Sequence, residues 1–117
     1  LWLGERSRDE ALTRMAACRA LLLTSKDEGG ANVITEAITC GAAILATACE
    51  GTMGQLGVDH PGLFPVGDES ALAKLLQRLV DEPAFEETLR AASIRLRPRV
   101  HPDRERAAWR DLLADLE

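Results

Sequence analysis

Between Ser25 and Glu36 the chain reads Ser25-Lys26-Asp27-Glu28-Gly29-Gly30-Ala31-Asn32-Val33-Ile34-Thr35-Glu36, and this stretch holds the residue types best suited to chemistry. Gly29 and Gly30 let a backbone come close to a ligand, and they fall where a helix is expected to begin. The first amides of a helix have no intrahelical acceptor. Ala31, Asn32 and Val33 therefore offer N–H groups, backed by the positive end of the helix dipole, to an anion. Glu36 stands one turn beyond Asn32 on the same face, and Glu28 sits on the preceding loop. Carboxylates repel phosphate but accept hydrogen bonds from hydroxyls. Two of them flanking a phosphate-sized positive pocket suit a ligand with hydroxyls at both ends and phosphates between, as in a nucleotide-diphosphate sugar. A plain turn followed by two solvated acids is the competing reading, and the glycine pair is not the G-x-G-x-x-G dinucleotide pattern. Paired carboxylates also serve glycoside hydrolysis, but a glycine-lined helix start favours phosphate.

The elements that must carry this segment can be read from apolar periodicity and punctuation. Leu1-Trp2-Leu3-Gly4 reads as the end of a short strand. Ser7 and Glu10 have capping-box spacing, and Leu12, Met15 and Ala16 mark the stripe of a helix to about Cys18. Ala20–Leu23 is a continuous apolar run, as in a strand buried on both faces. A loop from Thr24 to about Gly30 leads to a second helix that stops at Gly41. Ala43–Thr47 is the next buried strand. Residues 49–62 hold four glycines and read as an irregular loop with one helical turn. Leu63–Val66 is an edge-like strand, because Pro65 cannot donate to a ladder. Asp68 or Ser70 then caps a helix with Leu72, Leu75, Leu76 and Leu79 on one face. Pro83 opens another, with Phe85 and Leu89 facing inward, and Pro102 opens the last, with the stripe Trp109, Leu112, Leu113 and Leu116. Strands alternating with helices predict a doubly wound α/β fold: a Rossmann-like parallel sheet with flanking helices, ending in a helical run.

Composition narrows the function classes. The 117 residues fit one domain, with 46% hydrophobic and 28% charged side chains. A net charge of −5 argues against nucleic-acid binding by phosphate neutralisation. The basic residues are nevertheless concentrated between Arg90 and Arg110, opposed there only by Asp103 and Glu105. That segment reads as a solvated helix surface, with a face toward an anionic partner as the alternative. Cys18, Cys40 and Cys49 are odd in number and lack C-x-x-C spacing, which fits a reducing, cytoplasmic setting and no structural metal. Cys18 and Cys40 read as small core residues. His60 reads as structural or surface, with an acceptor-side contact as the alternative, His101 as a cap or plainly exposed, and Trp2 and Trp109 as packing residues in preference to base-stacking platforms. A first residue of Leu predicts an excised piece of a longer chain.

Glu28 and Glu36, with seven residues between them, resemble the E-x7-E motif of retaining GT-B glycosyltransferases of family GT4. The strand ending in Thr24-Ser25, Glu36-Ala37 within the helix, Gly41 after it, and Phe64-Pro65-Val66-Gly67-Asp68 with Ala71-Leu72 agree with that family. Ala43 departs from its usual proline. Three blocks, Glu28–Ala37, Gly54–Gly62 and Arg104–Trp109, further resemble the selenosugar synthases of selenoneine biosynthesis, over about Gly4 to Leu116. The resemblance implies that residues 1–117 are a single partial domain, the C-terminal nucleotide-sugar-binding part of a GT-B enzyme whose N-terminal acceptor domain is absent.

The resemblance also implies roles. Glu28 is the catalytic carboxylate, holding hydroxyls of the donor sugar and stabilising positive charge at the anomeric carbon. Gly29, Gly30 and Ala31 approach the sugar by their backbone, Asn32 and Val33 receive the diphosphate, and Glu36 accepts from the ribose. The donor is a UDP-sugar, typically UDP-N-acetylglucosamine, the acceptor is selenophosphate, and no cofactor or metal is expected. The family's Arg/Lys pair for the diphosphate lies outside the chain, so the 117 residues alone are expected to bind weakly and to be inactive. The last helix is expected either to fold onto its own sheet layer or to pair two copies as a homodimer. A hexosyltransferase with an oxygen acceptor and a non-catalytic Rossmann-like interaction module are the alternatives.

Overall fold

Four residues, Ile44 to Thr47, are almost completely withdrawn from solvent, and the chain is arranged around them. A computed structural model describes residues 2–27 and 29–116. In chain order it contains α1 (Arg8–Ala17), β1 (Leu21–Leu23), α2 (Asn32–Cys40), β2 (Ile44–Thr47) and α3 (Glu50–Leu56). β3 (Leu63–Phe64), α4 (Glu69–Asp81), α5 (Pro83–Val100) and α6 (Pro102–Asp115) follow. The three strands are parallel in the order β1-β2-β3, with Leu21 opposite Ile44 and Thr47 opposite Phe64. The doubly wound α/β expectation is met.

Alternation along β2 sends side chains to opposite faces, and each face has its own cluster. Ile44 and Ala46 pack with Met15, Ile34, Ile38 and Leu56 from α1, α2 and α3. Ala43 and Leu45 pack with Phe64, Leu79, Phe85 and Leu89, from β3, α4 and α5. The helix α5 serves both clusters, because Leu96 and Val100 near its far end touch the first. It is fastened at the amino end of the sheet: Ser93 Oγ donates to Ala42 O at 2.5 Å and an Arg90 NH donates to Cys18 O at 2.7 Å. Glu86 accepts from Arg19 at 3.1 Å and from Arg90 at 3.0 Å. Those hydrogen bonds, Arg19's first, hold the Glu86 carboxyl below its ordinary range.

Most helix boundaries fall where local chemistry puts them. Ser7 Oγ accepts from Glu10 N–H at 3.3 Å and Asp68 Oδ1 from Ala71 N–H at 2.9 Å. Pro83 and Pro102 occupy first-turn positions, and His101 Nδ1 caps α6 by accepting from Asp103 N–H at 3.2 Å. Gly41 ends α2 at φ 66°, a conformation that favours glycine. Among the described residues, Cys18, Cys40 and Cys49 form no disulfide. Among the described residues, no helix is long and apolar enough to cross a membrane.

Four expectations are corrected. Of the strand expected over Leu1–Gly4, Leu1 lies outside the described residues and Trp2–Gly4 form none, pairing with no strand among the described residues. β1 is not buried on both faces: Leu22 is 43% exposed, since β1 is an outer strand and the helices on that face are centred on β2. Residues 50–56 form two helical turns, where one had been expected. Trp2 and Trp109 do not pack into the core, being 91% and 57% exposed. α6 meets the body of the protein through half-buried Ala107, and its stripe of Trp109, Leu112, Leu113 and Leu116 faces solvent.

Leu89 fills the centre of the second cluster, so Leu89→Ala should cost about 2–5 kcal/mol in urea unfolding. Val80→Ala, at a position on α4 that is 66% exposed, should stay within about 0.5 kcal/mol of wild type.

Candidate functional site

The carboxyl ends of β1, β2 and β3 lie at one end of the sheet, and the loops leaving them are where such folds build sites. Residues 24–31 leave β1 there and deliver the chain to α2. Glu28, the expected catalytic carboxylate, lies outside the described residues. Gly29 and Gly30 are exposed, and a Cβ on either would meet nothing within 4 Å. Gly30 has φ 124°, a region that side chains avoid, so glycine is required there by the backbone path into α2.

At the start of α2, Asn32 and Val33 have no hydrogen-bond partner for their N–H groups among the described residues. No acidic side chain falls within the first turn to occupy them. Ala31 behaves differently from expectation. Its N–H donates to Gln55 Oε1 at 3.0 Å, and its carbonyl accepts from Gln55 Nε2 at 3.1 Å. The amides left open at this helix start are therefore those of Asn32 and Val33, and Ala31 is already engaged.

Glu36 follows one turn later and is half-buried. Its Oε1 lies 3.8 Å from Arg8 Nε, an ion pair too long for a hydrogen bond. Its carboxylate lines a cleft of about 290 Å³ with Arg8, Thr35, Thr39 and Pro102. A smaller cleft of about 150 Å³ opens between the strand ends, lined by Thr24, Lys26, Thr47, Phe64 and Asp68. Lys26 is thus directed toward the β2–β3 side. Among the described residues, no group of three or more His, Cys, Asp or Glu side chains is placed to hold a metal ion.

Thr47 and Gln55 belong to the site's framework and were not singled out from sequence. Thr47 Oγ1 donates to Ser25 O at 2.5 Å, and Thr52 Oγ1 donates to Thr47 O. Thr52 Oγ1 also accepts from Cys49 N–H at 3.1 Å, which closes the start of α3. One available signal was Gln55 itself, a long amide in a glycine-rich stretch.

His60 is buried and does not lie at the surface. It is 8% exposed, and its Nδ1 accepts from Gly62 N–H at 3.0 Å. A backbone N–H can only donate, so the neutral ring carries its proton on Nε2, which finds no partner among the described residues. Burial first, and then the nearby Arg95 guanidinium, lower its pKa to about 4.

The glycosyl transferases group 1 model matches residues 1–95. A comparison with curated proteins gave no match.

His60 makes stability depend on pH with a definite sign. The folded state keeps the imidazole neutral, while the unfolded chain takes up its proton near pH 6.5. The contribution is therefore complete above pH 6.5 and is lost as pH falls to about 4, a loss of roughly 3 kcal/mol. His60→Asn keeps an acceptor for Gly62 without the titration. Unfolding curves of the two proteins should converge or cross as pH is lowered, and a constant difference between pH 7 and pH 4 would show that His60 does not titrate.

Proposed function

Because the chain belongs to the glycosyl transferases group 1 family, we propose that it holds the nucleotide-diphosphate-sugar donor of a retaining glycosyl transfer at the loop 24–31 and the start of α2. The observation that carries this reading is the pair of open amides on Asn32 and Val33, one residue after two exposed glycines at the carboxyl end of the sheet. Fixed N–H dipoles aimed at a diphosphate stabilise it most as the bond to the anomeric carbon breaks and negative charge develops on the leaving group. Gly29 and Gly30 let the sugar end approach the backbone.

The two carboxylates divide the hydroxyls between them. Glu36 takes the ribose, since its long contact with Arg8 leaves acceptor capacity for hydroxyl donors. Glu28 takes the donor sugar and faces the anomeric carbon as positive charge builds there. We assign the donor as a UDP-sugar and the acceptor as selenophosphate, with the acceptor bound by a further domain that completes the active site. The exposed stripe on α6 is assigned to contact with a second copy of the chain.

Titrating the chain with UDP and following backbone amide shifts tests the donor site. Shifts should cluster at residues 28–36. Glu36→Ala should weaken UDP itself, because hydrogen bonds to a charged acceptor contribute roughly 1.5–3 kcal/mol, or about tenfold or more in affinity. In the complete enzyme, Glu28→Gln should lower turnover much more than UDP affinity, because its interaction grows in the transition state. If UDP affinity survives Glu36→Ala while UDP-sugar affinity falls, the two roles are reversed. Near-normal turnover in Glu28→Gln removes it from catalysis.

The α6 assignment is tested by sedimentation. Wild type should dimerise and the double change Trp109→Ser, Leu113→Ser should be a folded monomer; a wild type that stays monomeric at high concentration excludes the contact.

A further inference from the structure

The loop that carries Glu28, Gly29 and Gly30 is fastened at both ends by side chains from elsewhere in the fold. At its start, Thr47 Oγ1 donates to Ser25 O at 2.5 Å. At its end, the Gln55 side-chain amide pairs with both polar groups of Ala31, at 3.0 and 3.1 Å, and lies 3.4 Å from Thr35 Oγ1. The two fasteners are themselves joined. Thr52, three residues before Gln55 on α3, donates to Thr47 O. One short helix therefore links the two ends of the loop.

We propose that Gln55 is a positioning residue of the donor site, acting with Thr47 to hold the loop ends so that the Asn32 and Val33 amides point outward together. The proposal rests on the donor-site reading above. Its physical basis is the geometry of a primary amide, which presents one acceptor and one donor side by side as a peptide group does. Ala31 O also accepts from Ile34 N–H at 3.1 Å, so the Gln55 donor fills its second lone pair. With both polar groups of Ala31 satisfied, the next two residues leave in a fixed direction. The glycines before it stay unpacked and able to fold against a ligand. No other side chain of similar length does both tasks. Methionine keeps the shape without polarity. Glutamate offers acceptors only and adds a negative charge beside the proposed diphosphate.

The test uses the 117-residue chain, amide hydrogen exchange and UDP as probe. In wild type the Ala31 amide should be protected. In Gln55→Met its exchange should rise about tenfold or more, with Leu45 in β2 unchanged, and UDP should bind about three- to tenfold more weakly. Gln55→Glu should be at least as weak, and its deficit relative to Gln55→Met should shrink as salt is raised, because the added charge is screened. An unprotected Ala31 in wild type overturns the clasp. UDP binding by Gln55→Met equal to wild type overturns the positioning role alone. Failure of wild type to bind UDP or any UDP-sugar sinks the donor-site reading and the positioning role with it. Should Gln55→Met not fold, Thr47→Val removes only the Ser25 fastener at constant shape. A loss of UDP affinity there upholds the proposal, and unchanged affinity overturns it.

Discussion

The fold depends on the complete desolvation of β2. A buried strand must place every backbone polar group, and each has a partner at small cost only if its neighbours stay in register. The edges of β2 are closed by Leu21 N–H on Ala43 O, by Ala46 N–H on Gly62 O and by Ala48 N–H on Phe64 O. With the backbone satisfied, Ile44 and Leu45 are free to feed opposite clusters, and the helices have no choice of face. The polar contacts at the two ends of this strand then differ in kind. At the amino end, Ser93 and Arg90 lock α5 against Ala42, Gly41 and Cys18. At the carboxyl end, Thr47 and Thr52 hold loops.

That difference separates the two ends of one small sheet. α5 reaches across both clusters and is tied by guanidinium and hydroxyl donors, so the amino end resists opening. At the carboxyl end the loops are held by single hydroxyls and one amide. α3 illustrates the point. Its sequence, Glu50-Gly51-Thr52-Met53-Gly54-Gln55-Leu56, contains two glycines and would not hold a helix alone. It forms because Leu56 and Thr52 are buried and because Thr52 closes its first turn on Cys49. Tertiary contact overrides propensity here, and the same contact brings Gln55 to Ala31.

What was legible in the sequence was what local chemistry decides. The Ser7 and Asp68 caps, the prolines at helix starts, the stop at Gly41 and the apolar runs of β1 and β2 each announce themselves within a few residues. What was not legible depends on partners distant in sequence. Nothing near Leu22 says whether a helix will cover it, and nothing near Trp109 says that α6 will stand off the body of the protein. The amides of Ala31, Asn32 and Val33 look equivalent in sequence. Only a residue 24 positions away, Gln55, distinguishes the first from the other two.

The electrostatic character of the site follows from the same constraint. The chain carries a net charge of −5, and Lys26 is the lone cation between Ser25 and Glu36. Lys26 lines the cleft toward Phe64 and Asp68, not the start of α2. Within residues 25–36, what could attract an anion to Asn32 and Val33 is therefore oriented backbone dipoles, supplemented by the partial charge at a helix N-terminus. Dipoles act over short distances and only when aimed correctly, whereas a guanidinium attracts from any side. A site of this kind is sensitive to the direction of two N–H bonds as well as to the surrounding charge. The polar fastening of Ala31 and Ser25 holds the loop that leads into the Asn32 and Val33 amides.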